Sequence, residues 1–273
     1  MKARILVAVV AVPVLFFVLF FLPPFCTAIL AAVICAGVVP EYYKAVWPEA
    51  PKVLRWLTLF FAVIMPLSAL LGSVGLAAAA VLFLFILFAY GISSYEREKA
   101  NAFEDLLKCL FVGAVNPAMM ACLVLLKNQE NGKLLVMLPI VITWCCDSAA
   151  YFAGVYLGKH KVTRLVSPNK SAEGFFGGII GGILCTLLYG VIISVAADVS
   201  VNFLFWGIYG LVGSAVCELG DLAYSLIKRQ CGIKDYGHLI PGHGGMLDRF
   251  DSMSCVAPAV WILFCLLPAV YAV

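Results

Sequence analysis

The sequence predicts an all-α fold, a polytopic transmembrane bundle of about nine helices. Hydrophobic residues fill 64% of the 273 positions and charged residues only 12%, whereas about 25% of the residues of a water-soluble domain are charged. The mean hydropathy of the chain is +1.06. A bilayer core needs roughly 20 apolar residues per helix, and stretches of this kind lie near residues 4–22, 25–40, 53–71, 75–92, 106–126, 134–157, 174–196, 201–227 and 255–272.

These stretches are predicted to be helices and not the strands of a membrane barrel. Barrel strands alternate between apolar and polar positions. The run at residues 82–88 is apolar at every position, so it would bury both faces of a strand in lipid. The pattern therefore favours a helical bundle.

The positive charges predict that the N-terminus is cytoplasmic. Cytoplasmic loops of membrane proteins are enriched in Lys and Arg. With nine helices, all but two of the 18 basic residues fall at the N-terminus or in the loops on the same side; the exceptions are Lys127 and Lys133. We therefore expect a multi-pass protein of the cell membrane, with its conspicuous polar loops in the cytoplasm and its C-terminus outside.

Acidic side chains within apolar helices are costly in lipid and are therefore functional candidates. Three of them, Asp147, Glu218 and Asp221, lie within predicted helices or at their ends. Residues three, four and seven apart share a helical face, so Glu218, Asp221, Ser225 and Lys228 form one polar stripe down the eighth predicted helix. The sequence leaves the individual roles of Asp147 and Glu218 open.

The loop after this stripe adds two more carboxylates, Asp248 and Asp251. If the loop folds back, both can converge with Asp221. Hard oxygen ligands of this kind suit Mg²⁺, which is typically held by a few carboxylates and by substrate phosphates. The sequence therefore predicts a Mg²⁺ site formed by Asp221, Asp248 and Asp251.

Two loops on the predicted cytoplasmic side have the composition of a nucleotide or phosphate site. The first contains residues 241–245, whose glycines allow close backbone approach and whose N–H groups could bind a phosphate at the start of the following helix. The second, residues 167–174, offers hydroxyl, amide and ammonium groups that can contact a nucleotide. Basic residues flank the first loop, namely Lys228, Arg229, Lys234 and Arg249.

Residues 225–251, which read SLIKRQCGIKDYGHLIPGHGGMLDRFD, resemble the signature of the phosphatidate cytidylyltransferases, also called CDP-diglyceride synthases. The match fixes many positions in a short run, so it is far more specific than a short motif. Residues 147–174 look like a second block of the family, in which Ser171 replaces a commoner Thr and keeps the hydroxyl. The resemblance covers residues 144–252 and is only topological before them.

The resemblance implies that CTP and phosphatidate react to give CDP-diacylglycerol and pyrophosphate. It implies Mg²⁺ on Asp221, Asp248 and Asp251, and it suggests a second, monovalent cation. Phosphoryl transfer mainly needs positioning and neutralisation of charge, so the predicted catalytic residues are Asp221, Asp248, Lys228, Arg229 and Arg249. The predicted substrate-binding residues are Ser167, Asn169, Lys170, Glu173, Ser225, Lys234, His243, Gly244 and Gly245.

Residues 1–273 are expected to form a single integral membrane domain, because no repeat, low-complexity tract or long linker interrupts the chain. Residues 134–273 would carry the catalytic helices and loops. Residues 1–130 would supply helices whose role stays open between a scaffold, a lipid-entry face and a homodimer face. The expected partners are CTP, phosphatidate and the bilayer, with no nucleic acid among them.

Two other functions stay open. A CTP-dependent polyprenol or dolichol kinase would also need a cytoplasmic CTP site, but its acceptor hydroxyl attacks the γ-phosphorus and CDP leaves. The full run from Lys228 to Asp251 argues against it. A secondary transporter would also carry carboxylates in its membrane helices, but the polar residues here lie mainly at predicted cytoplasmic helix ends.

Overall fold

The computed structural model describes residues 2–98, 102–197, 199–240 and 244–272. Within them the chain is mostly helical, which confirms the predicted all-α membrane bundle. The helices are α1 (Lys2–Phe21), α2 (Pro24–Val46), α3 (Lys52–Ser68), α4 (Gly72–Glu98), α5 (Ala102–Leu110), α6 (Asn116–Lys127), α7 (Gly132–Leu135), α8 (Leu138–Leu157), α9 (Ala172–Ala196), α10 (Phe203–Gln230) and α11 (Leu247–Leu266), and the strands are β1 (Val199–Val201) and β2 (Val270–Ala272).

The described residues contain seven helical stretches that are long and apolar enough to cross a membrane. Two features explain the difference from the predicted nine. The stretch Lys52–Arg97 is 46 residues long and contains two predicted helices, separated by a short 3₁₀ turn at Ala69–Leu71 and by Gly72 with φ of 79°. Because α3 and α4 contact each other, the chain turns back at this point. The first predicted helix corresponds to α1, whose apolar part Val9–Phe21 is shorter than a full span.

The last helix differs from the predicted stretch at 255–272. It begins earlier, at Leu247, so its first turn contains Asp248, and an acidic residue there is favoured by the partial positive charge of the helix N-terminus. It ends at Leu266, two residues before Pro268, which has no N–H group to continue a helix. The chain then forms β2, which pairs with β1 in an antiparallel ribbon.

The chain divides into two compact units. The first contains residues 1–128 and 235–249, and the second contains residues 129–234 and 250–273. The loop at residues 235–249 therefore groups with the N-terminal helices, although it follows α10 in sequence. Each unit is built around its own set of helix contacts.

In the first unit, α2 packs on α3 and α6. The buried hydroxyl of Tyr43 lies 2.8 Å from Thr58 Oγ1 and 3.2 Å from Cys109 Sγ, which joins three helices by polar contacts. Lys127 is buried, and its Nζ donates to the carbonyls of Leu19 at 2.5 Å and Phe20 at 3.3 Å. These carbonyls lie at the end of α1, where a helix lacks internal partners and favours a positive charge.

In the second unit, α9 packs against both α8 and α10. Glycines recur on α9, and a Cβ atom at Gly177 or Gly181 would overlap the Cβ of Ala153 or Ala149 on α8. Small residues of this kind let membrane helices approach closely. This close approach positions the first turn of α9 beside α8 and α10.

Candidate active site

A cavity of about 470 Å³ lies in the second unit, where α8, α10 and the start of α9 meet the loop before α9. We call it the Lys170 cavity. Its wall combines apolar helix surface with an ammonium group and three carboxylates. The lining residues are Asp147, Ala150, Tyr151, Gly154, Val155, Asn169, Lys170, Ser171, Gly174, Phe175, Glu218 and Asp221.

Two ion pairs dominate the polar side of this cavity. The ammonium of Lys170 lies 2.7 Å from Glu218 Oε2 and 2.6 Å from Asp221 Oδ2. The Glu218 side chain is only 2% exposed, and that of Asp221 is 30% exposed. A buried carboxylate is tolerated when an opposite charge contacts it, so Lys170 is the counter-ion of both acidic residues.

Lys170 lies in the loop before α9, outside the membrane-spanning helices. Burial would lower the pKa of its ammonium, but the charges of Asp221 and Glu218, together with hydrogen bonds to both, raise the pKa above its ordinary value. Lys170 therefore stays protonated at neutral pH. The sequence predicted Lys170 as a substrate contact, and the structure adds its pairing with the two carboxylates.

The loop that carries Lys170 is fixed by side chains at the start of α9. Ser171 is the N-cap of α9, and its Oγ accepts the N–H of Gly174 at 3.1 Å. Glu173 accepts the backbone N–H of Lys159 at 3.0 Å and lies 2.6 Å from His160 Nδ1. In the structure, Glu173 thus binds the loop itself, although the sequence predicted it as a substrate contact.

Other predicted residues of the second unit also hold this loop. The N–H of Ser167 donates to Thr163 Oγ1 at 3.0 Å, and its carbonyl accepts the N–H of Lys170 at 3.1 Å. Arg229, at the end of α10, donates from Nε to the carbonyl of Val166 at 3.2 Å. Asn169 lines the Lys170 cavity, and its contact with a nucleotide stays a prediction.

The other predicted site residues on α10 and in the loop after it differ in their exposure to solvent. Ser225 and Lys228 are buried on α10, one and two turns beyond Asp221. Lys234 is exposed in the following loop. The polar stripe predicted from the spacing thus lies mostly on a buried face of α10.

Asp251 is buried near the start of α11, and its Oδ1 accepts the N–H of Ser252 at 2.9 Å. It lies within Coulombic range of Asp221, Lys228 and Asp147. The second unit therefore brings two predicted metal ligands, Asp221 and Asp251, into one charged neighbourhood.

The third predicted metal ligand, Asp248, belongs to the first unit. Its Oδ2 accepts two backbone N–H groups, from Tyr236 at 2.8 Å and from Gly245 at 3.0 Å. Across the described part of the chain, no three His, Cys, Asp or Glu side chains are grouped as ligands of one ion. The three-ligand set thus stays a prediction.

The glycine-rich loop is described in part. Gly244 has φ of 86°, a left-handed conformation that favours glycine, and the N–H of Gly245 is donated to Asp248. Arg249 is exposed. His243 lies outside the described residues, together with residues 241 and 242.

Glu41 is a site residue that the sequence analysis missed. It lies near the end of α2 and is 8% exposed, and its Oε2 accepts the N–H of Leu247 at 3.2 Å. A Cβ atom at Gly237 or Gly245 would lie 2.5 Å from one of its carboxylate oxygens. Glu41 therefore fills the space that these two glycines leave, and it supports the loop that carries Asp248. A signal was present, because Glu41 directly follows the apolar stretch at residues 25–40 and lies within α2, and a carboxylate inside a membrane helix is costly.

Two comparisons with known proteins point to the same family. A model of the cytidylyltransferase family matches residues 2–267 of the chain. Similar curated proteins include the phosphatidate cytidylyltransferases of Staphylococcus epidermidis, 36% identical over 179 residues, and Staphylococcus saprophyticus, 34% identical over 179 residues. That of Staphylococcus aureus is 36% identical over 181 residues. Each match covers 66% of this chain and 65% of the relative, so the matched part of the chain spans about two thirds of these curated proteins.

The ion pair in the Lys170 cavity predicts coupled effects on stability. We expect Lys170→Gln and Glu218→Gln each to lower the free energy of unfolding. Lys170→Gln leaves Glu218 and Asp221 without their counter-ion, and Glu218→Gln removes the more buried of the two carboxylates that offset Lys170. The double variant should be more stable than the sum of the single effects predicts, with a coupling energy of roughly 0.5–3 kcal/mol. The free energy of unfolding of all three variants is measured by denaturation of the purified protein in detergent. The control is Lys161→Gln, which removes one positive charge from an exposed position in the same loop. Additive effects of Lys170→Gln and Glu218→Gln on the free energy of unfolding would contradict the pairing.

The contact of Glu41 with Leu247 predicts a local effect on hydrogen exchange. Glu41→Ala removes the acceptor of the Leu247 N–H, and a hydrogen bond to a charged group contributes about 1.5–3 kcal/mol. We expect amide exchange in residues 244–249 to accelerate about tenfold or more, measured by mass spectrometry of the purified protein. Glu41→Gln keeps an acceptor oxygen and should exchange nearly as the wild type. Unchanged exchange in Glu41→Ala would show that the loop does not depend on this contact.

Proposed function

This chain belongs to the cytidylyltransferase family, and we propose that it transfers the cytidylyl group of CTP to phosphatidate, giving CDP-diacylglycerol and pyrophosphate. The names of its Staphylococcus relatives support this substrate pair. The observation that carries the proposal is the Lys170 cavity, where the polar loop at residues 167–171 meets the carboxylates of α10. Both segments lie within residues 144–252, the part of the chain that resembles the family.

The proposed reaction is one in-line displacement. An oxygen of the phosphatidate phosphate forms a bond to the α-phosphorus of CTP, and the bond from that phosphorus to the bridging oxygen of the β-phosphate breaks. Pyrophosphate leaves with the electron pair of the broken bond. The attacking phosphate is already an anion near pH 7, so the reaction needs no strong general base. The protein contributes positioning and neutralisation of charge.

The side chains divide between these two tasks. We assign contacts with the nucleotide to Asn169 and Lys170, which line the cavity. We propose the same role for Ser167, which lies in the same loop and whose carbonyl accepts the N–H of Lys170. Lys170 also sets the charge of the cavity, since it offsets two carboxylates. The predicted neutralisers of the phosphates are Lys228, Arg229 and Arg249. Arg229 has a second task, because its Nε already holds the carbonyl of Val166.

Divalent metal is part of the proposal. Asp221 and Asp251 offer the hard carboxylate oxygens that Mg²⁺ prefers, and the two residues lie within Coulombic range of each other. The carboxylate of Asp248 has a defined orientation through its two backbone N–H bonds. We propose these three residues as ligands of Mg²⁺, which when bound would offset negative charge on the phosphates.

The cellular setting is the remaining part of the proposal. The seven apolar helical stretches of the described residues make the chain a multi-pass membrane protein. We propose that it lies in the cell membrane with Lys170 and the 235–249 loop on the cytoplasmic side, where CTP is available. The distribution of Lys and Arg along the sequence supports this orientation.

Two preparations of radiolabelled CTP test the function. Purified protein is incubated with Mg²⁺, phosphatidate and CTP labelled at either the α- or the γ-phosphorus. We expect the α label in the lipid fraction and the γ label in pyrophosphate, because the bond beyond the α-phosphorus breaks. Phosphatidylglycerol, which has no phosphomonoester, is the control acceptor and should take neither label. Transfer of the γ label to an added polyprenol would instead identify a kinase, and no lipid label from either CTP would refute the proposal.

The metal assignment predicts the effect of removing one charge at a time. Asp221→Asn, Asp248→Asn and Asp251→Asn keep the side-chain shape, but each removes a negative charge that a hard cation requires. We expect turnover to fall by orders of magnitude, while the protein stays monodisperse. Excess Mg²⁺ should restore part of the activity. Asp105→Asn, an acidic residue of α5 that pairs with Lys108, is the control. Near-normal turnover of Asp248→Asn at ordinary Mg²⁺ would contradict the assignment.

A further inference from the structure

A second cavity, of about 650 Å³, lies within the first unit between α2 and α3. We call it the α2–α3 groove. One end contains three basic side chains, and the other is apolar. None of its lining residues is acidic, and none of them lines the Lys170 cavity. The lining residues are Ala36, Val39, Pro40, Tyr43, Lys44, Pro48, Lys52, Arg55, Trp56 and Leu59.

The basic end of the groove is formed by Lys44, Lys52 and Arg55. Lys44 lies in the last turn of α2, and Lys52 is the first residue of α3. Among the residues that the structure describes, no carboxylate forms an ion pair with any of the three. The groove therefore contains three basic side chains that no ion pair occupies in the described part of the chain.

Arg55 is fixed in place at this end. Its Nε donates to the carbonyl of Ala50 at 3.0 Å, and its Nη2 donates to the carbonyl of Pro48. Its guanidinium also lies 5.9 Å from the centre of the Tyr43 ring. A guanidinium has five N–H groups, so these contacts orient it without using all its donors.

The other end of the groove is a surface for hydrocarbon. Ala36 and Val39 contribute from α2, and Trp56 and Leu59 contribute from α3. The Trp56 side chain is 70% exposed, and both helices belong to stretches that can cross a membrane. Trp at the border between apolar and basic surface is typical of the membrane interface.

We propose that the α2–α3 groove binds one anionic phospholipid. The lipid phosphate contacts Lys44, Lys52 and Arg55, and an acyl chain lies along Val39, Trp56 and Leu59. Basic pockets between membrane helices are suited to anionic headgroups, and this volume is in the range of ordinary ligand sites. A soluble anion would use the basic end and leave the apolar end unoccupied, whereas an anionic lipid matches both.

The preference of cytoplasmic loops for Lys and Arg accounts for positive charge at this end of the helices. It does not account for three such side chains in one concave site, where none of the three forms an ion pair within the described residues and an apolar wall continues from them. The proposal needs only the first unit, and it is independent of the reaction assigned to the chain.

Native mass spectrometry of the detergent-purified protein tests the site. The added lipids are phosphatidylglycerol, which is anionic and is a phosphodiester, and phosphatidylcholine, which is zwitterionic. We expect one copy of phosphatidylglycerol to bind at least tenfold more tightly than phosphatidylcholine. A double variant of Lys44→Gln and Lys52→Gln should weaken phosphatidylglycerol binding roughly 10- to 30-fold and leave phosphatidylcholine binding unchanged.

A control variant and a competitor separate this site from general charge effects. The double variant of Lys133→Gln and Lys161→Gln removes the same charge from two exposed positions outside the groove and should bind phosphatidylglycerol as the wild type does. Equal weakening in both double variants, or equal affinity for the two lipids, would overturn the proposal. Displacement of the lipid by glycerol 3-phosphate at equal concentration would also overturn it, because the site would then recognise a soluble phosphate.

Discussion

The ion pairs of Lys170 with Glu218 and Asp221 are the contacts on which the second unit depends. Glu218 is almost fully buried in a membrane helix, and an unpaired charge at such a place is very costly. The loop before α9 therefore has to place the ammonium of Lys170 next to the carboxylates of α10. The N-cap of α9 at Ser171 and the bonds of Glu173 to the loop backbone hold that loop in place.

The same constraint explains part of the helix packing. A Cβ atom at Gly178 of α9 would lie 2.7 Å from Glu218 Oε1, so a larger side chain would push the carboxylate away from Lys170. Glycine at this position allows α9 to pass close to the buried ion pair. Gly178 is thus needed both for the close packing of α9 and for the contact between Glu218 and Lys170.

The apolar stretches could be predicted because hydropathy reports which segments are stable in lipid. Their exact ends could not, since polar residues can extend a helix beyond its apolar part. The first turns of α11 show this, because residues from Asp248 to Ser254 are polar or mixed and yet helical. The pairing of β2 with β1 was also beyond sequence reasoning, since each strand has only three residues and their register depends on the packing of distant helices.

The grouping of side chains around the Lys170 cavity was predictable where those residues lie on one element. The spacing of Glu218 and Asp221 indicated one face of α10, and the polar run before α9 indicated Lys170 and Asn169. The pairing of Lys170 with α10 was not predictable, because it joins residues 48 positions apart through the fold. The contact of Glu41 with Leu247 was not predictable for the same reason, since it spans 206 positions.

Glu41 and Asp248 together explain why the 235–249 loop contains glycine at defined positions. Glu41 occupies the space beside Gly237 and Gly245, while Asp248 accepts the N–H groups of Tyr236 and Gly245. The loop backbone is thus held by one carboxylate from α2 and another from the first turn of α11. Because these hydrogen bonds also orient Asp248, the N-terminal helices contribute to the geometry of a predicted metal ligand. A residue of α2 therefore acts on Asp248 through the backbone of the loop.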